Sequence, residues 1–163
     1  MCGITGFLMV PEGVDDATAR ARLAPMMRAI AHRGPDSEGA WTDMTAGIAL
    51  GHLRLAIIDL SPAGHQPMAS ASGRLVLTFN GEIYNHGELR AQLEEEGRAP
   101  AWRGQSDTET LLAGFDAWGI EATLARTVGM FALAVWDRET RRLTLARDRL
   151  GEKPLYYGWQ GSG

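Results

Sequence analysis

The chain of 163 residues contains a single cysteine, and it is the second residue, in "MCGITGFL". Cysteine is small enough there for the initiator methionine to be removed, which leaves Cys2 with a free α-amino group beside its own thiol. An α-amine titrates near about 7.7–8.0 and a lysine amine near about 10.4, so at neutral pH the terminal amine offers roughly a few hundredfold more unprotonated base. A weakly ionised thiol is activated by an adjacent base, and one terminal residue then holds nucleophile and base together. Against this stands packing alone, a small residue at the head of a buried strand. A third reading, a redox-sensing thiol, lacks a second cysteine to resolve it.

Other residue types stand out by context. Arg54 in "LRLAIID" is a charge set among apolar residues. Its planar guanidinium can grip a carboxylate with two prongs, or it can face solvent from a strand. "NGE" at Asn80 to Glu82 reads locally as a hairpin turn. "SDTE" reads as a helix capping box, Ser106 with Glu109. His52, His65 and His86 show no ligand spacing, and no metal site is expected. A phosphate loop of the GxxxxGK kind is also missing.

These residues need elements to position them. "GITGFLMV" predicts a buried strand. "DDATARARLAPMMRAIAHRG" places Leu23, Met26, Met27 and Ile30 at helical spacing, with Pro25 expected to kink the helix or mark a restart. "HRGPDSEG" reads as a loop, "GIALGHLRLAIIDL" as two short strands and "SPAGHQP" as a turn. "RLVLTFNGEIYN" is a strand expected to stop at Asn80-Gly81, a pair that favours positive φ. Two amphipathic helices, "NHGELRAQLEEEG" and "SDTETLLAGFDAWG", each close on a glycine. The segment from "GMFALAVW" to "PLYYGW" predicts a hairpin and then a third short strand. This order suits helices layered over antiparallel sheets.

"MCGITGF", "HRGPD", "LRLAIIDL", "FNGEIYN", "SDTE" and "RDRLGEKPLYY", in this order, resemble the glutamine-hydrolysing domain of asparagine synthetases, class II amidotransferases of the N-terminal nucleophile hydrolase superfamily. The match runs from the first residue to about Gly158. It implies an α+β fold, a four-layer α/β/β/α sandwich of two mainly antiparallel sheets. The implied reaction hydrolyses L-glutamine to L-glutamate and ammonia through a Cys2 thioester. Asn80 and Gly81 match the oxyanion hole, and Arg54, Leu55, Ala56, Ile57 and Ile58 extend along the substrate. Asp107, with Glu82 as a second acid, matches the site for the substrate ammonium. Arg33 and Asp36 are expected to order a loop over the pocket by local ion pairing, with no catalytic part for His32.

The resemblance treats residues 1–163 as one amidotransferase type 2 domain, with further strands expected after "PLYYG" and an ATP-dependent synthetase domain beyond. No cofactor is expected for this domain, and ATP and magnesium only for the synthetase domain. The expected product is ammonia for asparagine. Transfer to a sugar or polysaccharide precursor, or a non-catalytic glutamine-binding module, are the other readings. A homodimer is left open.

Bulk properties agree with a soluble globular protein. The chain is 45% hydrophobic and 22% charged with a net charge of −4, so no field gathers nucleic acid or anionic lipid. Neither a signal segment nor an apolar run long enough for a bilayer is visible, and a single cysteine suits a reducing cytoplasm. Twenty glycines point to many tight turns.

Overall fold

In the computed structural model, which describes residues 2–9 and 14–159, the uncharged run after Cys2 forms β1, Gly3–Leu8. β1 pairs antiparallel with β3, Ile48–Arg54, in the register Gly3 to Leu53 and Leu8 to Ile48. The other edge of β3 pairs with β2, Ser37–Asp43, so the first sheet has the order β1-β3-β2. Both faces of β3 are covered, which is why it reads as an apolar run and not as an alternation. Ala49 and Leu53 meet Leu23 and Met27 of α1, Asp16–Ala29, while Ile48 and Leu50 face the second sheet.

α1 starts at Asp15, whose side chain accepts from the Thr18 N–H at 2.8 Å,. The helix runs through Pro25 without the expected restart. A proline removes the bond to the carbonyl four residues back, here that of Ala21, and both residues lie on the exposed side, where water can serve that carbonyl.

The second sheet has the order β4-β5-β6-β7, all antiparallel: Met68–Ala69, Leu75–Ile83, Gly129–Asp137 and Arg142–Arg147. Alternate residues Leu75, Leu77, Phe79 and Ile83 of β5, with Phe131, Leu133 and Val135 of β6, form a core with Leu89 of α2, His86–Glu95, and Leu111, Leu112 and Phe115 of α3, Asp107–Trp118. The intervening Val76, Ala134 and Trp136 face Ile48 and Leu50 of the first sheet. The result is the expected four layers: α1, first sheet, second sheet, then α2 and α3. Gly97 (φ 66°) and Gly119 (φ 86°) follow the ends of α2 and α3, as expected, in a region that favours glycine.

Some expectations fail. β2, β4 and the short α4, Ile120–Arg126, are not foreseen. "GIALGHLRLAIIDL" gives one strand only, because after Arg54 the chain folds back and its carbonyls at Asp59 and Ser61 bind the Arg54 guanidinium instead of a neighbouring strand. β5 does not stop at Asn80-Gly81 but continues to Ile83, with Asn80 opposite Ala132 and Gly81 opposite Phe131. Pairing along β6 overrides the turn preference of the pair. The glycine is needed for closeness, since a Cβ on Gly81 would lie 2.2 Å from the Met130 carbonyl oxygen. The third strand of the closing segment is not formed among the described residues, and Tyr156, Tyr157 and Trp159 stand exposed.

Candidate active site

Cys2 sits at the head of β1 against the chain that leaves β3. The Leu55 N–H donates to its Sγ at 3.4 Å and the thiol reaches the Leu55 carbonyl at 3.6 Å. Its own carbonyl accepts from Arg33 Nε at 3.3 Å. Asp36 Oδ2 accepts from the Ala56 N–H at 2.8 Å, and the Asp36 N–H donates to the Arg54 carbonyl at 3.0 Å. The expected ion pair of Arg33 with Asp36 is therefore replaced by bonds from each to the backbone beside the thiol. His32 is exposed. Removal of Met1 concerns a residue outside the described ones.

Cys2, Arg54, Leu55, Ala56, Ile57, Ile58, Asn80, Gly81, Glu82 and Asp107 all line one cleft. Candidates spread along the sequence from position 2 to position 107 are thus brought together. Asp59, Gly64, Gln66, Phe79, Ser106, Thr108, Met130 and Lys153 complete the wall, and none of these stands out in the sequence as a site residue. Lys153 lies within the motif "GEKPLYY", and Gln66 within a stretch that reads only as turn.

The edge of β5 explains the polar floor of the cleft. β4 covers only Val76 and Leu77, so the edge is open from Phe79 to Ile83. Phe131, opposite Gly81, turns its N–H to Asp148 Oδ2 (3.1 Å) and its carbonyl to the Asp148 N–H (2.8 Å), away from β5. By the alternation of antiparallel bonding, the amides of Phe79, Gly81 and Ile83 then point to the open edge. Phe79 N–H is taken by Gln66 Oε1 at 2.7 Å and Ile83 N–H by Asp107 Oδ2 at 2.9 Å. The middle amide, Gly81, hydrogen-bonds to no described residue. Next to it the Asn80 carboxamide is equally unengaged, and its Oδ1 is buried without a partner among the described residues. Two adjacent N–H donors therefore share a cleft with a thiol, which is the equipment for stabilising an oxyanion formed by attack of sulfur on a carbonyl.

Opposite charges mark the walls. Arg54 Nη1 donates to the Ser61 carbonyl at 3.0 Å and Nη2 to the Asp59 carbonyl, which fixes the guanidinium with two of its five N–H groups. Asp59 in turn accepts from the Ser61 N–H at 2.8 Å and the Gln105 N–H at 2.9 Å, tying this wall to the loop before α3. Asp107 occupies the first turn of α3; burial pushes its carboxyl above the usual range, against the pull of the Ile83 and Thr108 amides. Ser106 caps α3 as expected, accepting from the Glu109 N–H at 3.2 Å. Glu109 does not return to Ser106. Its carboxylate instead accepts from the Arg103 N–H (2.9 Å) and the Gly104 N–H (3.0 Å), with Arg90 and Arg103 as ion partners.

Behind the cleft, His52 is fully buried with Nε2 3.1 Å from the Phe79 carbonyl, and burial lowers its pKa to about 4, so it is neutral and donates there,. Among the described residues no cluster of three His, Cys, Asp or Glu side chains could hold a metal, and no helix is long and apolar enough to cross a membrane.

The layers and the cleft together describe an α/β/β/α sandwich with a thiol at the head of its first strand, in the same cleft as the open edge of β5. The fold matches that of glutamine phosphoribosylpyrophosphate amidotransferase from B. subtilis, with a TM-score of 0.70 over 99% of this chain and 40% of that one at 23% identity. The sequence pattern of the glutamine amidotransferase domain matches residues 1–163, and the chain belongs to that family. It is 43% identical over 176 residues to a putative glutamine-hydrolysing asparagine synthetase of Mycobacterium tuberculosis, covering 100% of this chain and 26% of that protein. It is 40% identical over 157 residues to glutamine-hydrolysing asparagine synthetase 1 of Bacillus subtilis, covering 96% and 24%. The chain thus spans about a quarter of the length of these relatives.

Proposed function

We propose that this domain hydrolyses L-glutamine to L-glutamate and ammonia at Cys2, exposed as the first residue by removal of Met1. The α-amine takes the thiol proton and the thiolate attacks the side-chain carboxamide. The resulting oxyanion is held by the Gly81 N–H and the Asn80 amide. Collapse to the thioester expels ammonia, the amine returning the proton to the leaving nitrogen. Water, deprotonated by the same amine, then adds to the thioester and releases glutamate and the thiol.

Substrate charge sets the orientation. The Arg54 guanidinium, with the backbone of Leu55 to Ile58, receives the α-carboxylate, and Asp107 with Glu82 receives the α-ammonium. Pairing with that ammonium offsets the burial of Asp107. No cofactor takes part in this half-reaction. In the longer protein the ammonia passes to an ATP- and magnesium-dependent synthetase domain that makes asparagine, in the cytoplasm.

The observation that carries this reading is the pair of unengaged donors, Gly81 N–H and the Asn80 carboxamide, in the cleft that contains the Cys2 thiol. An intact mass spectrum reports removal of Met1, and a glutamate-release assay reports turnover. Glutamate release by the processed protein and its loss in Cys2→Ala are the expected results. Undiminished turnover by a folded Cys2→Ala protein would refute the mechanism.

A further inference from the structure

Gln66 has no part in attack, oxyanion stabilisation or substrate charge pairing as described above, yet its side chain is buried in the wall of the same cleft. Its carboxamide is engaged at both ends. Oε1 accepts from the Phe79 N–H at 2.7 Å, and Nε2 donates to Thr108 Oγ1 at 3.1 Å. β4 pairs with β5 only as far as Leu77, so at Phe79 a side chain takes the place of the missing strand. Thr108 Oγ1 lies 3.5 Å from Asp107 Oδ1, and Asp107 Oδ2 holds the Ile83 N–H at 2.9 Å.

Gln66, Thr108 and Asp107 therefore form a bracket across the edge of β5. It clamps the amides two residues before and two residues after Gly81 and leaves only the middle one open. The β6 ladder holds one edge of β5, and on the open edge only these side-chain acceptors hold the amides. A donor aimed at an oxyanion must be placed to within about 0.5 Å, and a misplacement of about 1 Å can cost about a hundredfold in rate. Glutamine suits this post because it presents an acceptor and a donor on one planar group.

We propose that Gln66 is a positioning residue for glutamine hydrolysis, which through its bridge from the Phe79 N–H to Thr108 aims the Gly81 amide and ties it to Asp107. The proposal rests on the glutaminase reading. It differs from a purely structural role for Gln66, in which the side chain only satisfies a buried amide and its loss lowers stability alone.

The test uses the Met1-processed chain, with steady-state kinetics on L-glutamine and thermal melts. Gln66→Met keeps the bulk of the side chain and removes both bonds. It lowers kcat by about tenfold or more, with KM within about threefold of the parent, because Asp107 keeps its bonds to Ile83 and Thr108. Gln66→Glu keeps an acceptor for the Phe79 N–H, with the Thr108 hydroxyl now donating to it, and recovers most of the lost kcat. Thr108→Val breaks only the far half of the bracket and costs kcat less than Gln66→Met does. If Gln66→Met does not fold, the ordering of the other two against the parent decides: a Gln66→Glu protein crippled in kcat, or one more damaged than Thr108→Val, overturns the inference. So does a folded Gln66→Met protein with the parent kcat. A processed parent that releases no glutamate overturns the glutaminase reading and this inference together, whereas turnover by the parent beside an unimpaired Gln66→Met overturns this inference alone.

Discussion

Replacing Asn80 by alanine should separate activity from stability. Asn80 is almost fully buried, and its Oδ1 has no partner among the described residues, a burial that costs about 1–3 kcal/mol,. Truncation removes that penalty and opens a small space between the sheets, which costs back about 1 kcal/mol. The net change in stability is then between zero and a gain of about 2 kcal/mol, or a melting temperature unchanged to about 6 °C higher for a chain of this size. Activity goes the other way. Loss of one oxyanion donor lowers kcat by about 10²–10³, equivalent to about 2.7–4 kcal/mol. Circular dichroism melts and a coupled assay for glutamate measure the two on one preparation. A melting temperature more than about 4 °C below the parent, or a kcat within about tenfold of it, would refute the assignment of Asn80 as a donor held for chemistry at the expense of packing.

Gly81→Ala should damage both properties, because the new Cβ would stand 2.2 Å from the Met130 carbonyl oxygen and 2.6 Å from Phe131 Cα, backbone that no rotamer change can clear. A loss of kcat of about a hundredfold together with a lower melting temperature is expected, and an unchanged melt would contradict the close approach of β5 and β6 at this point. Burial raises the Asp107 carboxyl above its usual 3.8, and on the proposed function only its ionised form would hold the substrate ammonium, so glutamine affinity should be full above the raised value and fall as the pH drops through it,. KM measured against pH should rise in acid earlier than an exposed aspartate would allow, and Asp107→Asn should abolish that dependence. Asp148 is the opposite case: burial pushes it up, but the amides of Lys153, Glu152 and Phe131 outweigh burial and bring it down to about 2. A folded value below the unfolded one stabilises the protein above about pH 4, and that contribution fades as the pH falls toward about 2. Asp148→Ala, which orphans these amides, should cost about 1–3 kcal/mol in urea denaturation at pH 7, with the gap to the parent narrowing in acid.

The residues that meet in the cleft were legible as candidates because their types and settings are unusual: one thiol at position 2, a guanidinium within an apolar run, an Asn-Gly that is followed by a helix. The helix glycines and the apolar faces of α1 and α3 were legible for the same reason, since local spacing decides them. What depends on register was not. "LAIIDL" has the composition of a strand, but the chain folds back so that the Asp59 and Ser61 carbonyls bind the Arg54 guanidinium. Asn80-Gly81 has the composition of a turn, but nine paired positions between β5 and β6 outweigh that preference. Gln66 takes on meaning only because β4 begins at Met68, opposite Leu77, and leaves Phe79 with no strand on its outer edge, a fact of three-dimensional pairing that no local pattern announces.

The Leu55 backbone touches the Cys2 sulfur with both its N–H and its carbonyl, and the next residues form the wall expected to receive the substrate carboxylate. Sulfur and wall therefore share one stretch of main chain. A molecule lying along that stretch would therefore rest on the same residue that holds the thiol.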